Sequence, residues 1–324
     1  MSSTSNPNLV TLGKRRAPQA TRGTWFRPVY VFVAIWLIGV LGPYAWMFIT
    51  SITPSEELVY SAARIWPQHP GLEAYKYLLS NPRFIAYTLN SAVVAVGTVI
   101  VTTTLALLAG GALSRYRFRG RTLVLLGTLL LQLFPTILLI TPLYIEMRTF
   151  GLLDTKHGLM LVYTAFSLSF STWLMKGYID QIPKEIEEAA FIDGCSRFQT
   201  FIYVVVPLTK PGIAAVATFA FIYSWNEFIY ALTFTQTLTA RTIPVGLRLF
   251  IGESSINWQY ITAAGVLAAI PILVGFMIAQ RWLISGLTAG AVKGDLADLS
   301  LRIRAIAHAL ERISLLPVLN HRKT

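Results

Sequence analysis

Apolar residues in this chain gather in six long blocks rather than in the narrow stripes of a soluble protein. The blocks fall at 29–50, 88–112, 122–146, 157–179, 211–234 and 260–284. Each is close to the ~20 residues that a helix needs to cross the hydrocarbon core of a bilayer. The expected fold class is therefore all-α, an integral membrane protein with six transmembrane helices. The first block is too long and too aromatic for a signal-peptide core, and no small-x-small cleavage site follows it, so it reads as an uncleaved helix. Pro43, Pro135, Pro142 and Pro271 fall inside blocks and are candidate kinks, tolerable where neighbours satisfy the freed backbone groups. Gly110-Gly111 is a candidate close helix contact.

The pattern breaks between the fourth and fifth blocks, at 180–210, where charge and punctuation replace the apolar run. Pro183 suits a first helical turn, and Glu185, Glu187 and Glu188 then sit near the positive end of the helix dipole. Ala189 and Ala190 favour helix, and Gly194 can take the left-handed conformation that ends one. Ser196 with Gln199 reads as a capping box for a second helix. In that helix Phe198, Phe201, Ile202 and Val205 recur at helical spacing, and Pro207 is expected to stop it. The segment predicts two short helices meeting at a glycine corner, with an acidic entry and an aromatic stripe. It is either an elbow lying on the protein's own helices or a docking device.

Charge then sets the topology. The 324 residues are 54% hydrophobic and 13% charged, with 27 basic against 15 acidic residues and a net charge of +12. Soluble chains carry charge at about a quarter of positions. Arg115, Arg117, Arg119 and Arg121 crowd one short turn, and others cluster in the N-terminal tail, the 180–210 loop and the C-terminal end. In all, 20 of the 27 basic residues lie on one side of the six-span arrangement, which puts both termini and the 180–210 loop in the cytoplasm. Basic residues beside apolar spans answer to topology, and nucleic acid is not expected as a partner.

Composition excludes several chemistries. The single Cys195 allows no intrachain disulfide or cysteine metal cage. His69, His157, His308 and His321 are scattered, without ligand spacing, and there is no nucleotide-binding P-loop. His157 stands alone at the edge of the fourth block, and no span holds a pair of Asp for catalysis. No catalytic or metal-ligating residue is expected, and an energy source must come from a partner or an ion gradient.

Glu188-Ala189-Ala190, Asp193-Gly194 and Val204-x-Val206-Pro207-Leu208 resemble the E-A-A loop of permease subunits of ATP-binding-cassette importers, with valines where that family most often has Ile and Leu. Trp225-Asn226-Glu227-Phe228, Pro43-Tyr44-Ala45-Trp46, Leu113-Ser114-Arg115-Tyr116-Arg117-Phe118-Arg119-Gly120, Pro142-Leu143-Tyr144, Gly151-Leu152-Leu153-Asp154-Thr155 and the 286–294 stretch narrow the likeness to the carbohydrate-importer, maltose-type permease G branch. It covers about 25–294. The resemblance implies a cytoplasmic tail over 1–28, a six-helix permease domain over 29–294 with the 180–210 coupling loop, and a C-terminal extension over 295–324.

The resemblance implies a subunit that moves a sugar, an oligosaccharide such as a maltose- or trehalose-type glucoside, across a bacterial or archaeal cytoplasmic membrane, with no covalent chemistry of its own. Its partners would be a second homologous permease subunit, an ABC ATPase dimer, an extracytoplasmic solute-binding protein and membrane lipid. This chain would bind no cofactor; ATP and Mg would sit on the ATPase subunits. Glu188, Ala189, Ala190, Asp193, Gly194, Phe198 and Pro207 are the expected ATPase-coupling residues. Ser224, Trp225, Asn226, Glu227 and Tyr230 are candidate pathway or gate residues, since a carboxylate at that depth belongs beside water or a partner. Holding two permease subunits together is an equal alternative for Asn226 and Glu227. Gln132 and Glu146 are weaker candidates, and Tyr44, Trp46, Trp173 and Trp282 read as interfacial or packing aromatics. Two rivals remain, an ion-coupled secondary carrier and an importer permease for a non-sugar solute such as glycerol phosphate.

After the family-like region, Leu299, Ile303, Ile306, Leu310 and Ile313 mark one face of a basic amphipathic helix. It suits an anionic membrane surface or a partner's groove. The first 20 residues read as a disordered tail.

Overall fold

The computed structural model describes residues 26–60, 65–248 and 257–282. The amphipathic extension expected over 295–324 and the tail expected over the first 20 residues lie outside them. The described residues are helical, with no strand among them. Among the described residues four helices are each long and apolar enough to span a bilayer: α1 (Phe26–Ile52), α4 (Pro82–Arg115), α7 (Lys156–Asp180) and, last of these, α13 (Trp258–Trp282). Two bent pairs raise the total to six. The all-α membrane class is as the apolar blocks predict. The chain divides into two units, 1–46 and 47–324, and the packing described below is that of the second.

The core of that unit is α4 against α7, joined by α10 (Lys210–Asn226). Their interface is built of small polar residues. Thr98, Thr102, Ser167 and Ser171 are all buried there, and Thr102 and Ser167 share a hydrogen bond of 3.1 Å. Small residues of this kind let membrane helices approach closely where lipid supplies no hydrophobic drive. Gly110 and Gly111 do the same near the end of α4. A methyl group on Gly111 would come within 2.8 Å of the Phe201 ring, and one on Gly110 within 3.0 Å of the Lys176 backbone nitrogen.

Three sequence expectations are corrected. Helix α4 starts at Pro82, not 88, because Asn81 caps it, accepting a 2.9 Å bond from the Arg83 N–H, and Pro82 suits a first turn. The 122–146 block is not one helix: α5 (Arg121–Leu133) breaks at Phe134-Pro135 and a 94° bend leads into a 3-10 turn and α6 (Ile140–Thr149). The 211–234 block is interrupted at Glu227-Phe228, before α11 (Ile229–Phe234). Pro43 and Pro271 lie inside continuous helices, and Pro142 sits in the first turn of α6.

At the end of the bundle away from the 180–210 loop, short elements are pinned by side chains. Helices α2 (Ser55–Tyr60) and α3 (Glu73–Ser80) follow α1, and Ala74 and Leu78 of α3 pack with Phe84, Ala263 and Ala264. Asn90 of α4 donates to the Leu238 and Arg241 carbonyls, both at 2.9 Å, and Ser91 accepts from the Ile243 N–H at the start of α12 (Ile243–Leu247). Asp154, in the left-handed region at φ 57°, accepts from the Gln236 and Thr237 N–H groups at 2.8 and 2.9 Å. Burial pushes its carboxyl up, but those bonds and the Arg241 charge more than reverse this and hold it below the usual value.

Candidate functional site

The 180–210 segment folds as its punctuation predicts up to Val205. Helix α8 (Lys184–Ile192) carries Glu185 and Glu187 in its first turn and ends at Gly194, whose φ of +89° needs glycine. The Cys195 N–H returns to the Ala190 carbonyl at 3.0 Å. Ser196 and Gln199 make both bonds of the capping box that opens α9 (Arg197–Leu208). Pro207 lies in the last turn of that helix, which ends at Leu208, one residue past the expected stop. A π-turn at Phe201–Val205 precedes it, with the Val206 N–H on the Phe201 carbonyl, and the shifted register accommodates the ring. The chain turns at Thr209, by 73°, into α10. Thr209 stays buried and bonds the Val205 carbonyl through both its N–H and its hydroxyl.

The elbow has an inner and an outer face. Inward, Val205 packs with Ala106, Met175, Ile179, Ile182 and Val216, and Phe201 lies against them. Arg115, at the end of α4, does most of the fastening. Its Nε donates to Glu187 at 2.5 Å, and its other nitrogens donate to Ser114 Oγ at 2.9 Å and the Ile182 carbonyl at 3.1 Å. Ser114 in turn donates to Asp180 at 2.6 Å, and Lys176 pairs with Asp180 as well. The tether thus joins α4, α7 and α8. Its central pair is largely shielded, at 14% and 13% side-chain exposure, where a charge-assisted bond is worth more than at the surface. Outward, Ile192 is 87% exposed and Phe198 and Tyr203 are each 72% exposed, beside Phe191, Ile186 and Leu208. An apolar patch of this size on a loop marks an interaction surface. Between the two faces lies a groove of about 480 Å³ lined by Gly111, Tyr116, Glu188, Phe191, Phe198 and Phe201, among others.

Of the expected coupling residues, Glu188, Ala189, Asp193, Gly194, Phe198 and Pro207 are exposed on this elbow. Ala190 is the exception. It is 9% exposed and turned to the chain's own interior, so it is removed from the outer face. The sequence names Glu187 only among three acids near the helix dipole, and Arg115 only in the arginine-rich turn and the family-like 113–120 stretch. Their pairing was not expected, although a basic residue closing a helix beside an acidic loop was the available signal.

The second constellation, 224–230, closes on itself. Glu227 stands where α10 stops, and its carboxylate accepts three bonds. These come from the Tyr230 N–H at 2.9 Å, the Ala231 N–H at 3.1 Å and the Tyr163 hydroxyl at 2.7 Å. It therefore caps α11 in the manner of an N-terminal acid. Tyr230 sends its hydroxyl to the Thr136 carbonyl at 2.7 Å, supplying a donor to the other broken segment, and stacks on Phe166. The buried Trp225 donates its indole N–H to the Ala268 carbonyl of α13 at 3.0 Å and stacks on Phe221. The buried Ser224 bonds back to the Ala220 carbonyl. Ser224, Trp225 and Tyr230 are thus buried, held inside the chain by packing and backbone bonds. Asn226 is exposed, bonded only to the Ile222 carbonyl of its own helix, and Glu227 is half-buried. Gln132 and Glu146 are exposed, and Trp173 donates to the Leu125 carbonyl, tying α7 to α5. No group of three or more metal-ligating side chains occurs among the described residues.

The chain is similar to known proteins. The family described as "Binding-protein-dependent transport system inner membrane component" matches residues 81–288. The trehalose/maltose transport system permease protein MalG of Thermococcus litoralis is 37% identical over 258 residues, 79% of this chain and 92% of that protein. The diacetylchitobiose uptake system permease protein DasC of Streptomyces coelicolor is 35% identical over 264 residues, 82% of this chain and 96% of that protein. Among solved structures, a chain of a bacterial ABC transporter for import of the acidic polysaccharide alginate aligns with a TM-score of 0.68. Its identity is 23%, over 80% of this chain and 98% of that one, and it attests to the fold.

Proposed function

Because the chain belongs to the family of binding-protein-dependent transport inner membrane components, we propose that it is one permease subunit of an ATP-binding-cassette importer for a di- or oligosaccharide of the maltose or trehalose type. The observation that carries the proposal is the two-faced elbow at 180–210. Its inner face is tethered through Arg115, and its outer face offers Glu188, Ile192 and Phe198 to a partner. In this reading the partner is the cytoplasmic ATPase, and the termini and the elbow lie on its side of the membrane. The chain carries out no catalysis and holds no cofactor; ATP and Mg sit on the ATPase pair. A second permease subunit completes the pathway, and an external binding protein delivers the sugar. The sugar class rests on the relatives named for trehalose/maltose and diacetylchitobiose.

Mechanically, the tether explains how a docked ATPase would act. A partner can drive a change between two states only through contacts that differ between them. Fastened to α4 and α7 at Arg115, a displaced α8 pulls on the two helices that form the core. An ion-coupled carrier would need a carboxylate free to exchange its charge. Glu227, the acid that sequence offers for that role, has its oxygens engaged by three donors.

The test is reconstitution with the partner permease, the ATPase pair and the binding protein in proteoliposomes. Uptake of labelled maltose or trehalose should require ATP inside and binding protein outside. Uptake by this chain alone, driven by a proton or sodium gradient, would overturn the proposal.

A further inference from the structure

A second groove opens where α4 gives way to α5. It measures about 450 Å³, and its lining includes Ser114, Arg115, Arg117, Arg121, Lys184 and Glu185. The charges around it do not cancel. Arg115 is met by Glu187, and Asp180, also in the lining, is met by Lys176. Arg121 spends its Nε on the Leu113 carbonyl at 2.8 Å, which leaves the two terminal nitrogens of its guanidinium. Arg117 and Lys184 make no hydrogen bond or ion pair with any described residue. Among the described residues, three cations without an ionic partner therefore line the groove beside one such acid, Glu185.

The surroundings fix the depth of the groove. On α4 the exposed Leu105 and Leu108 lead up to it, and Arg115 lies about 10 Å beyond Leu108 at 1.5 Å per residue. On the other side, Leu123 and Val124 of α5 are exposed within three residues of Arg121, and Tyr116 and Phe118 flank the turn. A basic socket with apolar surface on both sides, at the last turn of a membrane helix, lies at the level of lipid headgroups.

We propose that this groove binds the phosphate of an anionic phospholipid, a phosphatidylglycerol- or cardiolipin-type headgroup, whose acyl chains run along the exposed start of α5. The Arg117 and Arg121 guanidinium groups supply forked donors that match phosphate oxygens, and Lys184 supplies a point charge. A zwitterionic lipid would bring its own cation against the same three positive groups. The headgroup would lie directly against Ser114 and Arg115, so lipid occupancy and the elbow tether share a wall. The proposal does not depend on which solute is transported.

Lipid binding to the assembled transporter, measured by native mass spectrometry from mild detergent, tests it. Phosphatidylglycerol should be retained in preference to phosphatidylcholine. Each basic residue removed should weaken its retention roughly fivefold, so Arg117→Gln with Arg121→Gln should weaken it roughly 25-fold. Arg117→Gln with Lys184→Gln disturbs no described bond and should act equally, while Arg83→Gln, at the far end of α4, should have no effect. Equal retention of the two lipids, or retention unchanged in both double variants, would overturn the proposal. So would binding of soluble glycerol phosphate with the same affinity as the lipid, since the site would then be one for free phosphate.

Discussion

The elbow at 180–210 and the break at 224–230 carry the same sequence signal, a cluster of acid and aromatic residues inside an apolar chain, yet they resolve into opposite designs. At the elbow one carboxylate, Glu187, is turned inward to Arg115, while its neighbour Glu188 stays on the surface. At the break the single carboxylate is consumed by the backbone around it, and Trp225 and Tyr230 fasten other helices rather than face a solute. A charge in a membrane chain is thus not by itself a mark of a pathway. What decides is whether the nearby backbone has N–H groups in need of an acceptor. The helix that restarts after Glu227 has them and Glu227 accepts from two, whereas no side chain caps the first turn of α8.

Substitutions can break this contrast. The largest effect is expected at Glu227→Ala, which would leave two N–H groups and a tyrosine hydroxyl without an acceptor in a largely buried place. The loss should be roughly 3 kcal/mol, read as a lowered Tm in detergent, with a smaller loss for Glu227→Gln. Because the role is capping, the KM for sugar of the surviving transporter should not change. A raised KM at unchanged Tm would make Glu227 a pathway residue after all.

Arg115→Ala comes next, at about 2 kcal/mol, because Glu187 and the Ile182 carbonyl lose their donor. Limited proteolysis should show the 181–196 segment cut faster, with Arg115→Lys intermediate because it keeps the charge and loses the fork. Equal cutting of native and variant chains would remove the tether from the account.

Much of the elbow was legible in the chain because its signals are local. Gly194, Ser196 and Gln199 act within one helical turn of themselves and fold as their spacing demands. The misreadings share a different cause. Pro43 and Pro271 lie within continuous helices while Pro135 sits at a right-angle break. What accompanies the break is Tyr230, 94 residues away, donating to Thr136. The π-turn before Pro207 was not legible, since no composition signals a five-residue turn of that kind. Arg115 was hidden for the same reason as Tyr230: its partners lie 67 and 72 residues downstream.

Two smaller effects sharpen the comparison. Gly194→Ala should cost about 1 kcal/mol through its backbone alone, since no atom lies within 4 Å of the added methyl group. Gly194→Asn should cost less, and chemical denaturation would rank the two. Smallest is Asp154→Asn, which tolerates the same positive φ but gives up the charge that Gln236 and Thr237 stabilise. The folded-state pKa of Asp154 is depressed, so its contribution is present above the ordinary carboxylate pKa and is lost as pH falls through the folded value. The Tm difference between native and variant should therefore be largest at neutral pH and shrink in acid. A difference that grew in acid would contradict the sign.

The outer face of the elbow is the central claim, and Ile192→Asp with Phe198→Asp tests it directly, since both side chains are so exposed that the fold should not suffer. The tagged chain, native and doubly substituted, is purified in mild detergent and its companions are identified by mass. The native chain should bring both an ATP-binding-cassette ATPase and a second permease, and the variant should keep the permease and lose the ATPase. A variant that retains the ATPase as fully as the native chain would contradict the account.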